Sequence, residues 1–481
     1  MLITELLSVN ALMKRISVFI FIVFVSFSSK AQEEIINRYT SDLIRQSFNV
    51  VDQKTGNFAV FFESYETVYG FLFDENKREI GRIESSDLPK KYKELIGYII
   101  EGKTIILFMN TRNGRSYGVL KFDFENNTSS VEELDFKLKK EDYLEAFSIN
   151  NIFYLFSRPN NSNQINIYKF KRDLSSKLHE IKFKENEFLD KRGESISLHE
   201  ILSSTEKIEN KTPVALEVAS EYTKIYNDKN KIYFTSDWFK NYTYLISIDL
   251  DSFNYKSERI FKPSIDDSYM GLRTNSFLFE NHLFQIIASS KQLNIQVTDI
   301  ETKEVIQKYS VNKDEPIPFK NSLIIQEGGS FDNYRELDKT SQFLRKMSQA
   351  HAGISVIKQD GVYQITYGSV LQMPSGGDYI IVGAIVGGVS GAIIMGSLNT
   401  ITTSYYGYTN SKSVRITGLF DDNFNHIEGE VPLNIFDKIK LYTNNIKGIQ
   451  AETIISLENS YLFGYYNKRG KVYKLVKFNK N

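Results

Sequence analysis

The sequence predicts an all-β fold, a seven-bladed β-propeller closed by its N-terminal strand, and three observations carry that expectation. The first is a repeat: an apolar strand, a polar turn that often holds Asp, then a strand of alternating charged and apolar residues. It occurs as YGFLFDENKREIGRIES from Tyr69, YGVLKFDFENNTSSVEELDF from Tyr117 and INIYKFKRDLSSKLHEIKF from Ile165. It returns as YLISIDLDSFNYKSERIF from Tyr244, LNIQVTDIETKEVIQKYSV from Leu293 and VRITGLFDDNFNHIEGEV from Val414. Asp74 to Asp123 and Asp123 to Arg172 are each 49 residues, and Asp249 to Asp299 is 50. The second observation is that each copy follows another hairpin, such as KTIILFMNTRNGRSYG or KIYFTSDWFKNYTY. Four short alternating strands per roughly 40–50 residues is the pattern of a propeller blade. The third lies at the ends: VYKLVKF from Val472 has no partner strand after it, while EIINRY, residues 34–39, precedes the first blade. An N-terminal strand that completes the last blade removes two exposed sheet edges. An open sandwich or two stacked domains is the alternative.

Composition supports this order of argument. The chain has 481 residues, with 14% aromatics and a formal charge of zero. Flat rings suit a pleated surface, and neutrality gives no reason to expect nucleic acid as a partner. With no Cys, disulfides, thiolate metal sites and a cysteine nucleophile are excluded.

Ahead of the first strand, Lys14-Arg15 and the apolar run ISVFIFIVFVSFS end at Ser29-Lys30-Ala31. Charged, apolar and small-residue regions in that order mark a signal peptide. Residues 13–31 are expected to be removed, leaving 32–481 as a single propeller domain in the periplasm. The run is shorter than the roughly 20 residues needed to span a bilayer, so a membrane anchor is disfavoured.

Three insertions break the repeat, at 185–222, 314–352 and 371–405. Ser197 and Glu200 form a capping box before a short helix in the first. In the second, TSQFLRKMSQAHAG predicts a helix capped by Thr340 and ended by Gly353. Because strands alternate in direction, turns between second and third strands share a face with crossings between blades. All three insertions are therefore expected to leave from one face, where binding sites are commonly built.

The third insertion contains GAIVGGVSGAIIMG, residues 383–396, uncharged and with five glycines. Gly383, Gly387 and Gly391 recur at a spacing that lets another backbone approach a helix. Three readings are open: a loop folded back on its own propeller, an apolar loop that docks on another protein, or a transmembrane helix. The last is disfavoured because both ends return to one blade. The docking reading nominates Tyr379, Ile380, Ile381, Gly383, Ile385, Gly387, Gly391, Ile393, Ile394 and Met395 as partner-binding residues.

Chemical motifs are sparse. His179, His199, His282, His351 and His426 show no metal-binding spacing. His426, Glu428 and Glu430 are expected on one side of a solvated edge strand. Asp249-Leu250-Asp251 starts like a calcium loop but Phe253 ends it, leaving an ordinary hairpin turn. The pairs Asp266-Asp267 and Asp421-Asp422 are adjacent, so strand geometry points them apart. Ser390 lacks the glycines of a nucleophile elbow, and Trp238 is expected to pack between blades. No catalytic residue, metal or cofactor is nominated.

The signal ending SKAQ, the lack of Cys and the repeat resemble an uncharacterised family of exported seven-bladed propellers from Gram-negative bacteria that use type IX secretion. In kind the chain is also similar to the plug subunit of the type IX translocon, a periplasmic protein that occludes an outer-membrane barrel. The resemblance implies a non-catalytic periplasmic interaction module whose apolar loop meets a membrane-associated protein, with the chain itself not spanning the membrane. Lacking a C-terminal sorting domain, it is expected not to be cargo of that pathway. The alternative is a propeller enzyme acting on glycans with acids at the axial pocket.

Overall fold

Strands that are buried on both faces alternate along this chain with strands buried on one, and that gradient builds the ring. The computed structural model describes residues 32–480 apart from 40–42, 65–66, 86–90, 93, 112–113, 191, 210, 266–270, 329–333, 372–397 and 411. The described strands form seven sheets, five of four strands and two of five. Blades 1 to 7 begin at the axis with Gln46–Val51, Glu94–Glu101, Glu141–Ile149, Thr223–Asp228, Arg273–Phe279, His351–Gln359 and Ile449–Ser456. Second strands such as Phe58–Glu63 (FAVFFE) are buried at every position, being sandwiched between neighbouring blades. Outer strands such as Thr128–Leu134 alternate between exposed and shielded residues, since one side faces water.

The core is a set of wedges between adjacent blades, filled largely by rings. Phe61 stacks on Phe48 at 4.7 Å within blade 1 and meets Phe122 of blade 2 at 4.9 Å. Between blades 2 and 3, Phe108 and Phe153 stack at 4.1 Å. Gly97 makes room there, because a Cβ at that position would lie 2.3 Å from Phe153. Each fully buried Phe stabilises the fold by roughly 1.5–3 kcal/mol. That use of rings accounts for the aromatic content.

The recurring Asp closes the turn after the third strand. Asp249 accepts hydrogen bonds from the backbone N–H groups of Asp251 (3.2 Å) and Ser252 (2.7 Å), and Asp299 from those of Glu301 and Thr302, both at 2.8 Å. Asp421 accepts from Asn423 (2.9 Å) and Asn425 (2.8 Å). These amides hold the three carboxyls below the usual carboxylate range. Asp249-Leu250-Asp251 is therefore a hairpin turn, as its Phe253 suggests.

Closure follows the ends of the sequence. Gln32–Tyr39 pairs antiparallel with Val472–Asn479 as the outermost strand of blade 7. Phe62 of blade 1 stacks on Tyr473 of blade 7 at 3.8 Å across the joint. Arg38 of the closing strand also bonds Glu79 on the outer strand of blade 1.

Blade 6 departs from the expected order. Its outer position is taken by Ile324–Gln326 from the preceding insertion, with Arg335–Leu337 beyond it. His426, Glu428 and Glu430 are not on an edge strand: only a single bridge, Phe420 to His426, forms there. The reason is competition. Asn321 and Ser322 occupy the sheet edge first, donating their N–H groups to the Thr417 carbonyl at 2.9 and 3.0 Å, while Asn321 Oδ1 accepts from Leu419 N–H at 2.7 Å. The helix of that insertion, Thr340–Met347, starts one residue after its cap Lys339 and stops before Ser348. Thr340 is thus inside the helix, and Gly353 sits in the first strand of blade 6. The capping box at Ser197 and Glu200 is present, heading the helix Leu198–Ile201.

Candidate functional site

The three insertions leave from one face, as strand alternation requires, and parts of two of them then turn into the axial channel. From the first insertion, Thr205–Ile208 adds a parallel strand on the axial side of Thr223–Asp228. Lys207 reaches across to the Ala146 carbonyl of blade 3 at 2.7 Å. The chain then climbs through a short helix, Leu216–Ala219 (here α1). Ser355 of blade 6 donates to the Val214 carbonyl just before it, at 2.7 Å.

From the third insertion, Thr400–Thr409 forms a helix (α2), about 15 Å long at 1.5 Å per residue. It rises along blade 7 to the start of the third strand of blade 6. At its deep end Asn399 donates to the Ser47 carbonyl of blade 1 at 3.0 Å and accepts from Thr453 of blade 7 at 3.4 Å. Thr402 Oγ1 accepts from the Ile454 N–H at 2.9 Å, and Ser404 Oγ from the Ala215 N–H at 2.7 Å. One glycine, Gly353, is needed for this packing. A Cβ on Gly353 would lie 2.9 Å from Leu216, whereas one on Gly407 would make only ordinary contact with the Ala215 Cβ at 3.4 Å. The two helices and the parallel strand together plug the axis.

Acidic groups line the plug. Glu452 follows a bulge in the first strand of blade 7, where Ala451 takes a φ of 51°. Bulges commonly re-aim a side chain, and this one directs Glu452 to the Tyr406 hydroxyl. Burial pushes Glu452 up to about 7. Glu206, on the axial strand, is pushed up to about 8 by burial and then by Glu221 and Glu145.

Beside the plug, between blades 4 and 5, lies a buried charge cluster. Asp237 Oδ1 is 2.9 Å from Lys262 Nζ and Oδ2 is 3.6 Å from Lys224 Nζ, all three side chains fully enclosed. Thr243 and Ser276 donate hydroxyls to the same carboxylate at 2.8 and 2.7 Å. Burial alone would raise Asp237, but Lys262 and Lys224 outweigh it and hold it below its usual range. Burial pulls Lys224 down to about 8 against the attraction of Asp237 and Glu221.

The two faces differ. At strand ends on the insertion face, Trp238 is 57% exposed, Phe261 67% and Leu371 55%. Trp238 does not pack between blades: its neighbour Asp237 turns inward to the lysines, which leaves the indole facing out of the turn. The opposite mouth is a polar cup of about 1390 Å³, ringed by the first turns of several blades through Asp52, Asn150, Asp228, Asn281 and Glu458, and floored in part by Glu209 and Asn399.

Of the other expected residues, His426 Nε2 lies 2.9 Å from Asn321 Oδ1, and Asp422 pairs with Lys358 at 2.7 Å. Asp266, Asp267, Ser390 and all ten nominated residues from Tyr379 to Met395 lie outside the described residues, as does the signal segment. Among the described residues no three His, Asp or Glu side chains are grouped to hold a metal ion, and no helix is long and apolar enough to cross a membrane. Sequence reasoning missed the axial strand, α1, α2 and the Asp237 cluster.

No protein-family model matches this chain, and no curated protein matches it. Among solved structures it is similar to the Dos1 propeller, at 8% identity and a TM-score of 0.34 over 92% of this chain and 94% of that one. A member of the DUF4221 family from Bacteroides vulgatus aligns at 11% identity and a TM-score of 0.31, over 93% of this chain and 98% of that one. Cobalt-substituted ACO from Synechocystis aligns at 8% identity and a TM-score of 0.30, over 58% of this chain and 64% of that one. The chain therefore spans less than two thirds of the length of that last protein. Likenesses this distant say nothing of what the chain binds, and the fold is read from its own seven sheets.

Proposed function

We propose that this chain is a non-catalytic periplasmic propeller, a protein-interaction module that docks on a membrane-associated partner through its insertion face. The asymmetry of the two mouths carries the reading. Three large apolar side chains, Trp238, Phe261 and Leu371, stand more than half exposed on the insertion face, while the cup opposite is ringed by carboxylates, amides and lysines. Exposed apolar residues are individually common; the reading takes these, from blades 4 and 6, as parts of one contact face. Tyr379 to Met395, outside the described residues, join this reading from the sequence alone. An outer-membrane secretion channel, occluded from the periplasm, is the partner this arrangement suits. The test is affinity purification from solubilised membranes with deletion of residues 379–396, which spares Leu398 and Asn399, and with Trp238→Ala plus Phe261→Ser. Both variants are expected to lose the membrane protein recovered with the wild type; an unchanged set of co-purifying proteins sinks the reading.

The polar cup favours a second reading, an enzyme acting on glycans. Glu209, Asp228 and Glu458 reach it from three separate segments, and opposed carboxyls are the usual machinery of glycoside hydrolysis. Release of reducing ends from a glycan panel, at least about 100-fold weaker in Glu209→Gln or Glu458→Gln, would replace the first reading with this one.

A further inference from the structure

We propose that the groove between the outer strands of blades 4 and 5 is a docking site for an extended acidic segment of a partner protein, which adds as a strand to the free edge of blade 4. The inference deepens the docking reading, with which it shares Phe261, by naming the chemistry of what docks.

The edge comes first. Tyr255–Phe261 is the last strand of its sheet and pairs with Tyr242–Asp249 alone. Lys262 N–H donates to the Asn241 carbonyl at 2.9 Å, and Asp249 N–H to the Asn254 carbonyl at 3.0 Å. Bonded pairs in an antiparallel ladder recur every second residue, so the backbones of Lys256, Glu258 and Ile260 are bonded inside the sheet. Those of Ser257, Arg259 and Phe261 turn outward. Gln296 of blade 5 donates to the Phe261 carbonyl at 3.1 Å. The outward groups of Ser257 and Arg259 meet no partner among the described residues.

Other blades also end in a free edge; what distinguishes this one is the groove beside it, of about 460 Å³. Every residue from Glu258 to Ser264 lines it, so the backbone edge itself forms one wall, and Lys303, Val305 and Lys308 of blade 5 form the other. Its floor is fixed, because Gln296 and Thr298 are buried and bonded to each other at 3.1 Å. Phe261 and Val305, both exposed, supply apolar surface.

Charge selects the occupant. Lys262 is already paired with Asp237. Lys303 is paired with Glu258, which also binds Lys256 at 2.8 Å. Arg259, over the Tyr242 ring at 5.6 Å, and Lys308 are exposed and paired with no carboxylate among the described residues. The groove is therefore basic in a chain whose formal charge is zero. Two copies of this chain joined here edge to edge would bring two basic walls together, so the complementary occupant is acidic. An added strand gains affinity from main-chain hydrogen bonds and specificity from its side chains: carboxylates suit Arg259 and Lys308, and β-branched side chains suit Phe261 and Val305.

Fluorescence polarisation on the mature protein tests this, with a labelled peptide of alternating glutamate and valine as the probe. It is expected to bind at least about tenfold tighter than the same peptide with lysine in place of glutamate. N-methylation of its amides, which keeps the charges and removes the edge hydrogen bonds, is expected to weaken it at least about tenfold. In Arg259→Glu with Lys308→Glu the preference between the acidic and basic peptides should reverse; should that variant not fold, Lys308→Glu alone should narrow it. Equal binding of the two peptides overturns the proposal, as does an unchanged preference in the variants or binding indifferent to N-methylation. Such a failure leaves membrane co-purification untouched, whereas peptide binding that persists while co-purification is absent sinks the docking reading alone.

Discussion

Replacing Asp237 with Asn is expected to lower the stability of the ring by about 3–5 kcal/mol, the range measured when one partner of a buried ion pair is removed. The substitution is nearly isosteric, so the effect isolates charge. Lys224 and Lys262 would remain enclosed with no carboxylate between them. Lys262 would still donate to the Phe239 carbonyl at 2.8 Å and Lys224 to Asn275 at 2.8 Å, so hydrogen bonding is largely kept. What disappears is the attraction that offsets taking two ammonium groups out of water. Lys224→Met in the same background should recover part of the loss, because it deletes one of the two stranded cations. The pH profile supplies a second check. Asp237 lies below its ordinary value of 3.8, so its stabilisation is present above pH 3.8 and fails as pH falls through the lower folded value. Denaturant titrations at pH 7 measure the first expectation; a change under about 1 kcal/mol would show the cluster to be dispensable.

Removing residues 32–39 is expected to have an effect of similar or greater size. The strand pairs through seven register positions with Val472–Asn479, buries Ile36 against Tyr473 and Leu475, and bonds Glu34 to Lys474 at 2.9 Å. At about 1 kcal/mol net per hydrogen bond, with one Ile side chain added, the total is about 5 kcal/mol or more. That is comparable with the whole stability of many domains. Truncation also leaves the third strand of blade 7 as a bare edge, an invitation to pair with another chain. The shortened protein should unfold at markedly lower temperature and associate on concentration, and a synthetic 32–39 peptide should reverse both. Equal unfolding temperatures for full and truncated chains would mean that closure contributes little.

Much of this architecture was legible because the turns repeat. An Asp that accepts two amide hydrogen bonds after a third strand is a local device, so Asp123, Asp249, Asp299 and Asp421 announce their turns without reference to the rest of the fold. The N-terminal strand was legible for a complementary reason: a last blade with three strands and a spare alternating segment at the other end have one economical pairing. Blade 6 misled because HIEGEV alternates as an edge strand should, while the stretch that displaces it is recognisable only once Asn321 and Ser322 are seen bonded to Thr417 and Leu419.

The interior was harder to read. TITTSYYGYT is rich in Thr and Tyr, residues that favour strands, and it becomes α2 because Ala215, Ile454 and Tyr405's aromatic neighbours hold it there. Lys224 looks like a surface lysine in an alternating strand and Lys262 like one in the loop after Tyr255–Phe261, and their shared Asp237 lies in a separate turn. Glu452 escapes notice because the bulge at Ala451 resets the alternation that would assign its side. Of the candidate site, the choice of face was readable from strand direction alone. The filling of the axis was not, since it depends on contacts between segments nearly two hundred residues apart, such as Ser404 with Ala215.

The joint between the first and last strands sets a timetable for the chain. Gln32–Tyr39 is made before any other described strand, yet its partner begins at Val472, so it must wait unpaired until blade 7 has been made. Six blades can collapse meanwhile, but none of them can use that strand, because its register is written for blade 7. Closure of the ring is therefore the last step that the chain order allows, after six blades have had time to form.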